Sequence, residues 1–582
     1  MKPKHLILFC ALTLLEGLVA LLSLFNMTFQ AGRGQVIDYG TLRNLAAGVT
    51  VLLLVGLAAA FFRLVRSPEF SASLTARLET LLAGEGGRLF TLQGGLLIAA
   101  LFLFECYLLT YLAFPVPLRP LFAWGTVICL QAWLILRVVY RGAYRARPGW
   151  IPRLKTGWHS WLPVQRKVLI ILAILGLIYF LVFLAPNYLR DPQTHFNMNP
   201  DEDIIYPDVV IALQTGATFE QTVWNALGNW QWWYGFPYLP MSAAVLVIPR
   251  LIFGNGFGEQ VQLNMFLLRT FISVLPMTLL ILFAVYLITR YKYLWASVGL
   301  FFFFAFLPGV FWYNLRFWHP DAIVVLLILL TIYFLEKDDL RFEHNFYYAA
   351  VTVGLTTAIK LWGLFFGVTI AGYLIAGLVM HRVTLKKAVF AGVFFILAML
   401  GTFILTSPTM MVPYLAKGAA ASWFGQQDAI LGGYNEPDPQ GVYKTGLVTW
   451  LRFFGLDYMR AFFFFFSFFA LFAGSLLGSR KVFNRLNLGW CLATAFFLIN
   501  FSAMKSPQYQ MPLMIPLICS AALFPMVVDG TQPWKFLSFL QKPLAKQILI
   551  GITIAFFAVQ FWINLTILYG RIAPNWPAII WY

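Results

Sequence analysis

Charged side chains are scarce in this chain. Of 582 residues only 11% are Asp, Glu, Lys or Arg, against about a quarter in ordinary globular proteins, while 60% are apolar and the mean hydropathy is +0.77. A shortage spread over such a length excludes a water-soluble enzyme and excludes a disordered chain. Acids are the scarcer sign, 23 against 41 lysines and arginines. The five cysteines (Cys10, Cys106, Cys129, Cys491 and Cys519) sit inside apolar runs, and none belongs to a C-x-x-C pair. That spacing argues against a disulfide framework and against thiolate metal sites. There is no Walker glycine–lysine loop and no clean dinucleotide fingerprint, so a nucleotide substrate has no recognisable seat.

What fills the chain instead is apolar runs of span length, roughly 20 residues each, recurring from Leu6 to Tyr569. The fold class expected is an all-α polytopic membrane protein with about 13–15 membrane helices. Net charge is +18. On a soluble protein this would point to nucleic acid; here the basic residues fall in short loops, where they set orientation, and no nucleic-acid partner is expected. The N-terminal stretch MKPKHLILFCALTLLEGLVALLSLF has a basic start, a long apolar run and no clear small-residue cleavage signal, so it reads as a first helix.

Five runs, roughly 5–26, 44–65, 90–114, 121–140 and 167–185, precede the most polar segment. The loop after the second carries Arg63, Arg66, Arg77 and Arg88. The loop after the fourth carries Arg137, Arg141, Arg145, Arg147, Arg153, Lys155, Arg166 and Lys167. The alternation puts the N-terminus and both basic loops in the cytoplasm and brings residues 186–237 to the outer side. In the C-terminal half the same reading places the Pro/Gly-rich segment 407–445 and the turn 504–510 outside. The order of crossings through 238–380, where Pro308 and Lys360 interrupt the runs, stays open. The domains expected are 1–165, a group of four membrane helices; 166–530, a larger membrane module with outer loops 186–237 and 407–445; and 531–582, a last membrane helix and short tail.

Four acids, Asp201, Glu202, Asp203 and Asp208, stand within eight residues. Three readings apply: a solvated loop in which Asp caps a helix starting near Pro207, a carboxylate that takes a proton from an attacking hydroxyl, or a carboxylate site for Mg²⁺ or Mn²⁺ using Asp201 and Glu202. The residues that follow show helical spacing and then an aromatic belt, Trp230, Trp232, Trp233 and Tyr234. They predict short amphipathic helices on the outer leaflet. Cations inside apolar sequence cost roughly 2.5–3.5 kcal/mol at mid-bilayer. Arg269, Arg316, His319, Lys360 and Lys505 are therefore candidate phosphate-binding groups, with Asp321, Gln508 and Tyr509 beside them. Segment 407–445 is long for a connection without regular structure and reads as a lid or acceptor-recognition element.

Several of these motifs together resemble the GT-C superfamily of integral-membrane glycosyltransferases, the protein O-mannosyltransferases and aminoarabinose–lipid A transferases in particular. The likeness consists of Asp201-Glu202 followed by Leu213-Gln214-Thr215-Gly216; NMFLLRTFISVLPMTLL with Arg269; NLRFWHPDAIVVLLILL with Asp321; GLTTAIKLWG with Lys360; and MKSPQYQMPLMIPLICSAAL with Lys505, Tyr509, Pro512 and Pro516. Where the family has a lysine–proline pair, this chain has Gly235-Phe236-Pro237. The resemblance implies a GT-C-like bundle in a bacterial inner membrane. It implies a polyprenyl-phosphate sugar donor, a lipid, glycan or protein acceptor, and inverting transfer on the periplasmic side. Asp201 would be the base, with Glu202 positioning the acceptor or taking the base role, and Asp203 as the assignment one register away. The competing expectation is a transporter or flippase of lipid-linked sugars.

Overall fold

The computed structural model describes residues 2–26, 40–83, 88–112, 116–141, 156, 158–188, 200–228, 234–432, 444–529 and 542–572. The described residues are helical throughout, with no strand. Eleven of their helices are long and apolar enough to cross a membrane. The number is thirteen if two bent pairs, Leu294–Ala305 with Pro308–Leu315 (59°) and Leu447–Asp457 with Ala461–Leu476 (100°), each count as a span. The chain is thus a multi-pass membrane protein, at the lower edge of the count its apolar runs predict. Several helices in the middle of the chain are too short, or carry too many charges at their ends, to qualify.

Contacts divide the chain into two units. The first holds α1 (Pro3–Asn26), α2 (Gly40–Arg66), α3 (Pro68–Ala83), α4 (Arg88–Leu109) and α5 (Arg119–Val139). Trp124 of α5 packs with Ala20 and Leu54, and a Cβ on Gly17 would come within 2.6 Å of its ring, so glycine there lets α1 lie against α5.

The second unit begins with α6 (Pro163–Tyr188) and α7 (Pro200–Ala212). Amphipathic α8 (Phe219–Leu227) belongs to the first unit, capped by the Thr218 side chain accepting from the Gln221 amide. Next in the second unit come α9 (Tyr238–Phe253) and the span α10 (Val261–Thr289), which contains one π turn over Arg269–Val274. Then follow α11 (Leu294–Ala305) and α12 (Pro308–Arg316), broken apart at Pro308, whose ring cannot continue a helix and holds Leu307 extended. They are followed by α13 (Asp321–Asp338), α14 (His344–Ile359), α15 (Phe366–Val379) and α16 (Leu385–Thr406). From Lys417 on, α17 (Pro413–Gly432) belongs to this unit, which closes with α18 (Leu447–Asp457), α19 (Ala461–Leu476), α20 (Lys481–Phe501), α21 (Pro507–Ala522) and α22 (Pro543–Ile572).

Helix α13 is apolar on all sides, as a helix at the centre of a bundle must be. Ala322, Val324, Val325, Ile328, Leu329, Ile332 and Leu335 are all fully buried, against α10, α14, α20 and α21. The last helix packs into the same unit, with Phe556 stacked on Phe466 at 4.1 Å.

Two expectations change. The acidic helix starts at Pro200, not near Pro207. Proline is preformed for the first helical turn, and Asp201, Glu202 and Asp203 then occupy that turn, where the helix dipole favours acids. Segment 407–445 is not without regular structure, because α17 takes up 413–432; residues 433–443 lie outside the described part.

Candidate functional site

Helices α13 and α14 run antiparallel through a short connection, so the start of one and the end of the other share one end of the bundle. This brings Asp321 and Lys360, far apart in sequence, to a 2.6 Å ion pair. Asp321 is fully buried, and Lys360 is 11% exposed. Lys360 ends α14 in extended conformation, before a 3-10 turn over Leu361–Phe365. Its ammonium lies 5.4 Å from the Tyr234 ring centre and 5.2 Å from that of Tyr509, within cation–π range.

His319 stands beside this pair. Its Nδ1 is 3.3 Å from Asp321 Oδ2, and its Nε2 is 3.4 Å from Asp201 Oδ2. The Tyr234 hydroxyl donates to Asp201 Oδ2 at 2.9 Å and lies 3.2 Å from each ring nitrogen of His319. The backbone of His319 is clamped: its N–H donates to Ser273 Oγ at 3.0 Å, and its carbonyl accepts from Tyr313 at 2.5 Å. A continuous polar chain thus runs Asp201–Tyr234/His319–Asp321–Lys360. Only its first member is substantially open, with the Asp201 side chain 39% exposed.

Glu202, the next residue on α7, points elsewhere because successive helical positions are turned by about 100°. It is fully buried and accepts from Arg269 Nε at 3.0 Å and Nη2 at 2.5 Å, and from the Trp318 amide at 2.7 Å. The π turn of α10 presents Arg269 to Glu202 of α7 and Ser273 to His319 in loop 317–320. Tyr238 adds a bond to the Trp318 carbonyl at 2.6 Å. Glu202 therefore fixes α7 to that loop, and Arg269 meets a carboxylate inside the protein.

The remaining candidates divide. Asp203 is exposed on the outer turn of α7. Lys505 is buried, donates to the Ala503 carbonyl at 2.6 Å and lies 5.2 Å from the Trp450 ring. Gln508 accepts from Ser506, whereas Tyr509 joins Lys360. Arg316 closes α12, and its side chain lies outside the described residues, as do Trp230, Trp232 and Trp233. The sequence gives Tyr234 only as part of a belt. Its partnership with Asp201 and His319, and the clamps from Ser273 and Tyr313, have no periodic signal to reveal them.

A divalent cation does not fit these residues. Among the described residues no group of three or more His, Cys, Asp or Glu is placed to hold one. Glu202 is taken up by Arg269, and Asp321 already neutralises Lys360.

Next to the chain lies a cavity of about 330 Å³ lined by Lys360 and Tyr509, by Thr357 and Ser502, and otherwise by apolar and aromatic groups including Trp362, Phe365, Trp423 and Phe497. Gly235 forms part of its wall, and its N–H donates to the Ile359 carbonyl at 2.9 Å. A Cβ on Gly235 would stand 1.5 Å from the Ala358 carbonyl oxygen. Gly235→Ala should push Tyr234 off Asp201 and destabilise the fold by about 1–3 kcal/mol or more. A thermal midpoint equal to wild type would contradict this close approach.

Burial is the largest influence on both Asp201 and His319, raising the first and lowering the second. For Asp201 the hydrogen bond and charge of His319, then Tyr234 and Lys360, outweigh burial and hold the carboxyl below its ordinary 3.8. For His319 the bonds and charges of Asp201 and Asp321 outweigh it and hold the imidazole above its ordinary 6.5. The linkage has opposite signs. The His319 contribution to stability is complete below pH 6.5 and is lost as pH rises through its raised value. The Asp201 contribution is complete above pH 3.8 and is lost as pH falls through its lowered value. Thermal stability scanned against pH should decline on the alkaline side in wild type and lose that component in His319→Gln; identical profiles would refute the pairing.

No protein-family model, no curated protein and no solved structure matches this chain.

Proposed function

We propose that the chain is a GT-C-type glycosyltransferase that moves a sugar from a polyprenyl-phosphate donor to a lipid, glycan or protein acceptor at the periplasmic face of a bacterial inner membrane. The observation that carries this reading is the join between the part-exposed carboxylate of Asp201 and Lys360, the ammonium lining an otherwise largely apolar cavity. A lipid phosphate needs both a cation and an apolar seat for its chain, and this cavity offers both.

The reaction is a displacement at the anomeric carbon. The acceptor oxygen attacks that carbon while its proton passes to Asp201. The carbon–oxygen bond to the phosphate breaks, with its electron pair on the phosphate. Lys360 has three N–H donors, one of them given to Asp321, and the others can meet the departing phosphate as its charge grows. His319 and Tyr234 hold the Asp201 carboxylate in place, and Asp321 holds both His319 and Lys360. Inversion follows from a single displacement.

Purified protein in detergent, where no compartment exists, separates an enzyme from a carrier. It is mixed with a synthetic polyprenyl-phosphate sugar and candidate acceptors. Release of polyprenyl phosphate coupled to a glycosylated acceptor is the expected result. Translocation of the lipid across vesicles without any transfer would replace the enzyme with a flippase.

A further inference from the structure

The transferase reading leaves the first unit without a task, yet that unit holds a groove of about 470 Å³ between α1, α4 and α5. Its long walls are apolar: Val19 and Ala20 on α1, and Ala123 and Val127 on α5. Residues four apart on a helix lie one above the other. Arg119, Ala123 and Val127 therefore form one stripe, roughly 12 Å long at 1.5 Å per residue.

Arg119 stands at one end, as the first residue of α5. Its guanidinium carbon lies 3.6 Å from the centre of the Tyr111 ring, and its Nε and Nη2 donate to the Thr110 hydroxyl and carbonyl at 2.8 and 3.0 Å. Three contacts fix the fork, and none of them is anionic. Among the described residues no carboxylate lies at ion-pair distance from Arg119. The guanidinium is half-buried at the end of the groove and held by neutral groups, and a phosphate there adds the charge-assisted partner those groups do not supply. The start of α5 favours the same sign. The groove also has a direction, since Glu16 lies toward its other end, where its Oε1 accepts from Gln131 and a carboxyl offers an anion no seat.

We infer that this groove seats one membrane lipid with a phosphate head, the phosphate on Arg119 and one chain along Ala123 and Val127. The site is built before the ligand arrives, which limits the ordering that binding must impose. It is independent of the transferase site, so it stands or falls apart from that reading.

Native mass spectrometry of the purified full chain tests it, with dioleoyl phosphatidic acid, dioleoylglycerol and inorganic phosphate as probes. Wild type should retain phosphatidic acid about tenfold better than dioleoylglycerol, the size of one charge-assisted hydrogen bond. Inorganic phosphate at millimolar concentration should leave the lipid in place. Arg119→Gln should lose the preference. Because Arg119 also ties α4 to α5, Val127→Trp is the second variant: it blocks the wall, leaves the guanidinium untouched, and should also expel the lipid. Equal retention of the two lipids by wild type, undiminished phosphatidic acid in either variant, or its displacement by inorganic phosphate would each overturn the inference, the last in favour of a free-anion site.

Discussion

Asp201→Asn is expected to lower sugar transfer by about 10²–10⁴-fold, the range for loss of a general base, while leaving the protein folded. Asparagine keeps the shape of the side chain, and its carbonyl oxygen can still accept from Tyr234, whose hydroxyl lies 2.9 Å from Asp201 Oδ2. It cannot take the acceptor's proton. It also removes a negative charge that raises the His319 imidazole above its ordinary range. The donor should still bind, since Lys360 and the aromatic cavity are untouched. The expected pattern is therefore a fall in kcat with little change in donor affinity. Asp203→Asn is the matched control: Asp203 lies one position beyond Glu202 on an exposed turn of α7, and its transfer rate should equal wild type. Normal transfer by Asp201→Asn would remove Asp201 as the base. Loss in Asp203→Asn alone would move the base to that residue.

Much of the scaffold is legible in the sequence. Five apolar runs forecast α1, α2, α4, α5 and α6 to within a few residues, because a membrane span is a length of apolar sequence and little else. What the runs concealed is α3, whose ordinary polarity gives no span signal, and the start of the acidic helix. Pro200 and Pro207 are both plausible first-turn prolines, and only packing selects the first. The residues of the site were mostly visible one by one, since an ionisable group in apolar sequence stands out. Their pairing was not. Arg269 and Lys360 look alike in sequence, each a lone cation in an apolar run. Arg269 meets Glu202 with no exposure at all, and Lys360 opens on a cavity. Which cation is structural and which faces substrate depends on which helix ends meet, and spacing along one chain does not encode that.

The difference between those two cations has a consequence for stability. Glu202→Gln should destabilise the fold by about 3–5 kcal/mol, the cost of leaving one charge of a buried pair without its partner. Glu202 and Arg269 are both fully buried, and they meet through two hydrogen bonds, one of them 2.5 Å. Glutamine retains an oxygen for the Trp318 amide but leaves the guanidinium uncompensated among α7, α10 and loop 317–320. Arg269→Met alone is expected to be as harmful, because the Glu202 carboxylate is then the unpaired ion. Combining Glu202→Gln with Arg269→Met should recover a large part of the loss, since no ion remains buried and the Trp318 amide keeps its acceptor. Thermal midpoints of the three variants in one detergent measure this. The single variants should fall well below wild type and the double variant between them and wild type. If the double variant matched the sum of the two single losses, the residues would be energetically independent, and the role given to Glu202 as the anchor that aims Asp201 at His319 would fail.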